Sequence, residues 1–317
     1  MQSADRISTK FKVIASDLAF PEGPIAMPDG SFLLVEIAAG RVTRISQEGK
    51  VSQVAHLGGS PNGLAIGPDG HCYVCNSGGF TFHNHPGYGL AGGMQPPDYS
   101  GGRIERINLS TGKSELLYDR CGDRMLKGPN DLVFDRHGGF WFTDSGKSRP
   151  TERDHGGIYY AKTDGSMISS VVFPNVQPQP NGIGLSPDES RLYMAETSTG
   201  RVWRFDITGP GEIRREPFPS PNGGTLLAGL PGFQLLDSLA VEANGNVCVA
   251  TMMNGGITVI EPDGNILEHV PLPDLLVTNI CFGGEGLKTA YICMSATGKL
   301  VAVDWPRPGL ALNFLNK

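Results

Sequence analysis

The sequence of 317 residues lacks any apolar run near the roughly 20 residues that a membrane-spanning helix requires. Its first residues, MQSADRISTKFKVIASD, lack the apolar core of a signal peptide, so we expect a cytoplasmic protein without a membrane partner. Lysine and arginine are scattered rather than clustered, and the formal charge is −6. Nucleic acid is therefore not an expected partner.

Cysteine is scarce, since six residues are present and their spacing is not that of a disulfide framework. Cys72 and Cys75 form a CxxC pair within HCYVCN, a strand-like run in which residues three apart point to opposite faces. We expect buried free thiols there. The sequence also lacks a GxSxG serine motif and a phosphate-binding glycine loop with lysine, which argues against covalent serine hydrolysis and nucleotide-driven chemistry.

Turn residues are abundant instead, with 44 Gly and 24 Pro and no long amphipathic helix pattern. One unit recurs six times, at starts 40 to 68 residues apart. In each copy a polar residue opens an apolar run, a PDG-like turn follows, and a second apolar run ends in polar residues. The copies start at Glu22, Asn62, Asn130, Asn181, Asp237 and Thr278.

A third alternating run follows in every copy and a fourth in most, including EIRREPFP at residues 212–219 in the fourth copy. Four short strands repeated six times predict an all-β, six-bladed β-propeller of antiparallel blades. The last copy has no clear fourth strand, whereas FKVIASDLAF at residues 11–20 resembles one. We therefore expect the N-terminal strand to complete the last blade and residues 1–317 to form a single domain.

The first strand of each propeller blade lines the central channel, so the six polar starts are expected to converge at one mouth. Oxygen donors dominate this predicted ring, and such donors suit a hard divalent cation, with Ca²⁺ favoured and Zn²⁺, Mg²⁺ and Mn²⁺ left open. Taken singly, Asn and Asp before a strand are ordinary turn residues. A second, outer set of residues ends the second strands: Glu36, Asn76, Asp144, Glu196, Thr251 and Met294.

These residues resemble the senescence marker protein, gluconolactonase and lactonase family, with paraoxonases as more distant relatives. The resemblance rests on PEGP, GPNDL with FTD, QPNGI with SPD, and LDSLAVEANGNVCVA, and it covers nearly the whole chain. It implies a six-bladed propeller with one divalent ion in its channel and hydrolysis of a lactone. It also implies that Glu22, Asn181 and Asp237 bind the ion, that Asn130 contacts the ion or its water, and that Asp131 and Ser238 contribute to the site.

A bound cation would polarise a lactone carbonyl, and hydrolysis then requires a base for the attacking water. Asp131 and Asp144 are the two candidates, and we favour Asp131 because it adjoins Asn130. Ser238 is the third predicted catalytic residue. The long segment at residues 78–102 is expected to act as a lid-like loop over the mouth. The residues predicted to bind the lactone or ester substrate are Asn62, Asn130, His83, His85 and Arg103.

Two other functions remain open from the sequence. The propeller could bind a small ligand or a protein around a purely structural ion. It could also use the same ring for another reaction, as strictosidine-synthase-like propellers do with different residues. The sequence does not indicate the oligomeric state.

Overall fold

The computed structural model describes residue 7, residues 9–175 and residues 179–317. Six antiparallel sheets of four or five strands form the blades of a six-bladed β-propeller, which confirms the predicted fold. Two short 3₁₀ helices, Ile37–Ala39 and Glu285–Leu287, are the helical elements of the described residues. None of the helices in these ranges is long and apolar enough to cross a bilayer.

Each of the first three blades runs outward from the channel in chain order. The strands of blade 1 are Pro21–Ala26, Phe32–Glu36, Arg41–Ile45 and Val51–His56. Those of blade 2 are Pro61–Ile66, Cys72–Asn76, Arg103–Ile107 and Ser114–Tyr118. Those of blade 3 are Pro129–Phe134, Gly139–Asp144, Gly157–Lys162 and Ile168–Val172. A two-stranded ribbon of Arg120–Cys121 and Arg124–Met125 lies between blades 2 and 3.

The last three blades follow the same order. The strands of blade 4 are Pro180–Leu185, Arg191–Glu196, Arg201–Gly209, Glu212–Arg214 and Thr225–Gly229. Those of blade 5 are Leu235–Val241, Val247–Met252, Gly256–Ile260 and Ile266–Pro271. Those of blade 6 are Val277–Gly283, Thr289–Met294, Lys299–Asp304 and, from the N-terminal segment, Phe11–Ala15.

The N-terminal strand closes the ring as the sequence predicts. Phe11–Ala15 pairs antiparallel with Lys299–Asp304, with Phe11 opposite Val303 and Ala15 opposite Leu300. This pairing joins the two ends of the chain and covers the outer edge that the third strand of blade 6 would otherwise expose. Apolar residues buried between neighbouring blades form the core, and the second strand of every blade is almost wholly buried.

Blade 4 departs from the prediction for its fourth strand. Within the predicted run EIRREPFP, only Glu212–Arg214 is a strand, and it pairs with the far end of the third strand, opposite Asp206 and Ile207. Thr225–Gly229 takes the fourth position beside Arg201 to Arg204. The predicted strand is therefore confirmed only over Glu212–Arg214, because Phe218–Pro219 interrupts the apolar alternation and a proline cannot donate a ladder hydrogen bond.

The insertion in blade 2 has a fold of its own. Phe82–His85 and Gly89–Gly92 form a hairpin within the predicted lid-like segment. The hairpin reaches toward blade 6, where the backbone N–H of Leu90 donates to Ala296 O at 3.0 Å, and Phe82 packs edge-on against Phe20 at 5.4 Å between ring centroids. The segment therefore lies over the upper face, which is the face where the inner strands begin.

The C-terminal segment lies across the opposite mouth of the channel. Leu310 N donates to Val241 O, and the side-chain amide of Asn313 donates to Phe134 O at 3.1 Å. Between this segment and the inner strands lies an apolar cavity of about 120 Å³. Its walls include Ile25, Leu64, Leu132, Ile183, Leu239 and Ile280, one residue from each inner strand. The C-terminal segment thus covers part of the lower mouth of the channel.

Candidate functional site

The first residues of the six inner strands meet at the upper mouth, and each strand is irregular at that point. In blade 3, Pro129 pairs with Asp144 and Leu132 pairs with Phe142, so that Asn130 and Asp131 together oppose the single residue Thr143. This two-against-one pattern is a β-bulge, which redirects side chains and is frequent beside functional sites. The other inner strands carry register shifts at the corresponding residues.

Tight packing between inner strands fixes the positions of these side chains. A Cβ atom on Gly63 of blade 2 would lie 2.5 Å from Asp131 Oδ1 and 2.7 Å from Asn130 O. A Cβ atom on Gly182 of blade 4 would lie 2.7 Å from Asp237 O. Glycine at the second position of the repeat therefore lets the neighbouring strand approach closely.

The ring holds several buried acceptor oxygens that have no hydrogen-bond partner. These atoms are Glu22 Oε1, Asn130 Oδ1 and Asn181 Oδ1, from blades 1, 3 and 4, and the Ser238 hydroxyl of blade 5 is also unpartnered. Because buried polar atoms are normally satisfied, unpartnered oxygens in one ring need an explanation. Oxygen atoms of carboxylates and amides are the ligands that hard cations take, so this donor set fits a divalent cation of the calcium type.

Glu22 and Asp237 supply negative charge to the ring. Burial raises the pKa of both carboxyl groups, and the charge of Glu22 raises the pKa of Asp237 further. Glu22 Oε2 accepts hydrogen bonds from the Gly23 N–H and, at 2.6 Å, from the side-chain amide of Asn279. One oxygen of Glu22 is therefore oriented by the protein while the other is left open. Within the described ranges, no three His, Cys, Asp or Glu side chains group as metal ligands, so amide oxygens would have to complete the coordination.

Asp131 lies at the ring and also borders the apolar cavity below it. Burial, followed by the charge of Glu22, raises the pKa of Asp131 to about 7. Its Oδ1 accepts a hydrogen bond from Leu132 N at 2.9 Å, and its own N–H donates to the Thr143 hydroxyl at 3.2 Å. Ser238 also lowers the pKa of this carboxyl, although its hydroxyl lies outside normal hydrogen-bond geometry.

Asp144, the other predicted base, has a different environment. Its Oδ1 accepts hydrogen bonds from Gly128 N at 2.7 Å and Gly146 N at 2.8 Å, and its Oδ2 accepts one from Lys127 N at 2.7 Å. Glu36 and Asn76, in the same outer set, likewise accept hydrogen bonds from backbone N–H groups of the preceding connections. This geometry argues for Asp144 as the residue that holds the upper connections of blade 3.

Replacing Asp144 by Ala should therefore act on stability. The substitution leaves three buried N–H groups without an acceptor, and each unsatisfied group costs about 1 to 3 kcal/mol. We expect the free energy of unfolding, measured by urea titration, to fall by roughly 3 kcal/mol or more. The kcat of the lactone hydrolysis that the sequence predicts should change little in the folded fraction. If a folded Asp144→Ala protein loses activity as strongly as an Asp131 variant, Asp144 takes part in the reaction.

Lys147 ties the insertion of blade 2 to blade 3. Its ammonium donates to Gly79 O at 2.7 Å and lies 3.5 Å from the ring centroid of Phe80. The side chain is 1% exposed, and burial lowers the pKa of Lys147 to about 7, although Asp144 and Asp154 oppose that shift. A buried cation is expensive to desolvate, so this contact is expected to reduce the stability of the protein below neutral pH.

The Lys147→Met variant should consequently be more stable than the wild type at pH 6, by about 1 kcal/mol or more. A lysine whose folded pKa is depressed destabilises the fold fully below the folded pKa, and this penalty declines as pH rises from about 7 toward 10.5. The advantage of the variant should therefore shrink between pH 7 and pH 10 in urea titrations. A variant less stable than the wild type at every pH would mean that the hydrogen bond and the Phe80 contact outweigh desolvation.

The predicted substrate-binding residues divide into two groups. Asn62 and Asn130 are buried in the ring. His83 and His85 lie exposed on the hairpin, where His85 stacks on Tyr88 at 4.0 Å. Arg103 is engaged elsewhere, because its guanidinium donates to Leu57 O at 3.0 Å and to the Ser100 hydroxyl at 3.1 Å. These bonds hold the base of the insertion and argue against a role for Arg103 in substrate binding.

Sequence reasoning missed two residues of the site. Asn279 orients Glu22 from the second position of the inner strand of blade 6, and Thr143 donates to Asn181 O at 2.5 Å, which links blades 3 and 4. The second position of the repeat carried a signal, because it holds Gly in three copies and Asp131, Ser238 and Asn279 in the others.

The CxxC pair behaves as expected: Cys72 and Cys75 are buried free thiols, and burial raises the pKa of Cys72 to about 12.

The sequence of this chain is similar to those of gluconolactonases and lactonases. The sequence profile of the SMP-30/gluconolactonase/LRE-like region matches residues 20–296. A gluconolactonase of Zymomonas mobilis is 26% identical over 91% of this chain and 80% of its own length. The lactonase drp35 of Staphylococcus haemolyticus is 28% identical over 80% of this chain and 69% of its own length.

Solved structures show the same fold at lower identity. A gluconolactonase from Xanthomonas campestris superposes with a TM-score of 0.72 at 21% identity, covering 94% of this chain and 89% of its own. A calcium-binding protein, regucalcin, from Agrobacterium tumefaciens superposes with a TM-score of 0.72 at 16% identity, covering 99% of this chain and 97% of its own. On the match over residues 20–296, this chain belongs to the SMP-30/gluconolactonase/LRE-like family.

Proposed function

We propose that this protein is a cation-dependent hydrolase that opens the ester bond of a lactone. The observation that carries the proposal is the set of unpartnered buried oxygens on Glu22, Asn130 and Asn181, which face one mouth together with the carboxyl group of Asp237. The relatives named gluconolactonase and lactonase support lactones as the substrate class.

Glu22, Asn130, Asn181 and Asp237 would hold the ion. The two carboxylates offset much of the charge of a divalent cation, while the two amides add oxygens without further repulsion. When bound, such an ion polarises the ester carbonyl and stabilises the oxyanion that forms on it, which is worth several kcal/mol. Asn279 keeps Glu22 oriented toward the ion by holding its other oxygen.

Asp131 is the proposed base. Water attacks the carbonyl carbon, and a carboxylate oxygen of Asp131 accepts the proton that the water loses. The C–O bond of the lactone ring then breaks, and the resulting alkoxide takes the proton held by Asp131, which gives the hydroxy acid and restores the carboxylate. Leu132 N and the tight contact with Gly63 fix the carboxylate, so it does not need to reorganise during the reaction. Ser238, beside Asp237, is proposed to position Asp131.

Steady-state hydrolysis of lactones before and after chelation tests this function. Chelation should remove activity and addition of Ca²⁺ should restore it, with Mg²⁺, Mn²⁺ and Zn²⁺ compared in parallel. Activity that persists with no ion bound would overturn the proposal.

A second candidate is a propeller whose ion is purely structural and whose upper face only binds. It is favoured by the burial of the ring, where Glu22 is 2% and Asn181 is 7% exposed. If the ion is purely structural, the carboxylate of Asp131 has no catalytic role. Loss of lactone hydrolysis in an Asp131→Asn protein that still binds the ion would therefore favour the enzyme over the binding protein.

A further inference from the structure

The upper face is divided into a charged side and an apolar side. Ionisable residues concentrate in the connections at residues 119–128 and 145–156 of blades 2 and 3. The upper connections of blades 5 and 6, at residues 230–234, 253–255 and 272–276, contain one charged residue, Asp274. Both oxygens of that carboxylate already accept hydrogen bonds within the protein: Oδ1 from Leu276 N at 2.7 Å and Oδ2 from the Thr297 hydroxyl at 2.7 Å.

In blades 1 and 5, the residue that follows the end of the second strand in the repeat is apolar, and in blade 1 it is Ile37. In blades 2, 3, 4 and 6 this residue is Ser77, Ser145, Thr197 or Ser295, and its hydroxyl hydrogen-bonds to a residue in, or directly before, an inner strand. In blade 5 it is Met252, and Met253 follows. Both methionines are partly exposed. Blade 5 therefore exposes apolar side chains at this place, whereas the equivalent Ile37 of blade 1 is buried.

Exposed apolar residues lie beside these methionines. Met253 N donates to Leu275 O at 2.8 Å, which brings the two connections together. Leu275 is 42% exposed, and Phe233, four residues before Asp237, is 76% exposed. Large apolar side chains left in water next to a polar site are typical of a surface that binds an apolar group.

A groove of about 460 Å³ runs between the tip of the hairpin and the connection Leu272 to Leu276. Its position is fixed by the hydrogen bond from Leu90 N to Ala296 O at 3.0 Å. Asp274 is the only charged side chain among the described residues of its walls. Its main apolar walls are Pro86, Tyr88, Leu272, Pro273, Leu275 and Ala296.

Two walls of the groove, Leu275 and Ala296, are near ring residues along the chain. Leu275 is three residues from Thr278, which is at most about 10 Å along an extended chain. Ala296 follows Ser295, whose hydroxyl lies 2.6 Å from that of Thr278. A groove this near to the ring is within reach of a substituent on a lactone held there.

We infer that the substrate is a neutral lactone that carries an apolar substituent, and that this groove between the hairpin and Leu275 binds the substituent. This inference rests on the proposed function. Burying alkyl or aromatic surface between Tyr88 and Leu275 favours binding of such a lactone. The hydroxyl groups of a sugar lactone would lose hydrogen bonds to water in the groove, and the walls offer few partners in exchange.

The test compares δ-decalactone, which has a pentyl substituent, with unsubstituted δ-valerolactone and with glucono-δ-lactone. In the wild type, kcat/KM for δ-decalactone should exceed that for each of the other two by about tenfold or more. Leu275→Asp should reduce the ratio of δ-decalactone to δ-valerolactone by about tenfold or more. Leu267→Asp, at a similarly exposed leucine on the outer strand of blade 5, should keep the wild-type ratio.

A lactam with the same pentyl substituent, which resists hydrolysis, provides a separate binding measurement by calorimetry. Its affinity should be lower in Leu275→Asp than in Leu267→Asp, whether or not the protein hydrolyses lactones. Suppose that kcat/KM is equal for the three lactones and that Leu275→Asp binds the lactam as the wild type does. This result would overturn the proposed role of the groove without contradicting the lactonase function. If no lactone is hydrolysed with Ca²⁺ bound, the lactonase function is overturned. The lactam affinities of the two variants would still test whether the groove binds an apolar substituent.

Discussion

Replacing Glu22 by Gln should lower kcat for lactone hydrolysis by roughly 10³-fold, and replacing Asp237 by Asn should have a comparable effect. Each substitution removes one of the two negative charges that would hold the cation, together with an oxygen that the fold keeps buried. Calorimetric titration with Ca²⁺ should show greatly weakened binding in both variants. The measurements are kcat at saturating lactone and the heat of Ca²⁺ binding.

Stability provides the internal check on these variants. Without a cation, Asp237→Asn should unfold at a temperature no lower than that of the chelated wild type, because the substitution removes a buried charge that repels Glu22. Glu196→Gln is the matched control, since Glu196 is also a buried carboxylate but is bonded to Trp203 and Thr199 away from the ring. Full activity in Glu22→Gln, or loss of Ca²⁺ binding in Glu196→Gln, would contradict the assigned ligands.

Asp131→Asn should lower kcat by about 10² to 10⁴-fold, the range expected when a general base is removed. Calcium binding should be retained, because the proposed ligands are other residues. The substitution preserves the size of the side chain, so the tight contact with Gly63 is kept. Kinetics at saturating Ca²⁺ and calorimetry of the same preparation separate the chemical step from ion binding.

Asp135 provides the control for that prediction. It is a buried aspartate near the other end of the same blade, and its carboxylate accepts hydrogen bonds from His137 N and the Tyr160 hydroxyl. Asp135→Asn should affect stability and leave kcat largely unchanged. An Asp131→Asn protein that binds Ca²⁺ and hydrolyses lactones at the wild-type rate would exclude Asp131 as the base and favour a base elsewhere on the upper face.

The repeat in the sequence was sufficient to predict the architecture and the convergence of the ring. Because the first strand of every copy begins with a polar residue before an apolar run, Glu22, Asn130, Asn181 and Asp237 could be assigned to one mouth without a structure. The closure by Phe11–Ala15 followed from a fourth strand that had no unit of its own. Both inferences depend on local patterns repeated in register, which is the information that a single sequence carries well.

Other features depend on contacts between distant segments and could not be predicted. The three backbone N–H groups that donate to Asp144 come from segments on both sides of its blade's first two strands. Asn279 reaches Glu22 across the join between the last blade and the first, 257 residues apart in sequence. The apolar groove forms only because the hairpin of blade 2 meets Ala296 in blade 6. In each case the chemistry of a side chain is set by a neighbour that no periodicity specifies.

The most direct test of the central claim is a Ca²⁺ titration of the chelated wild-type protein, with heat of binding and lactone hydrolysis measured on the same sample. If the four oxygen ligands hold the ion that supports the reaction, hydrolysis should rise from near zero in proportion to the occupancy of a single site. Hydrolysis that is already complete before any ion binds would contradict the account.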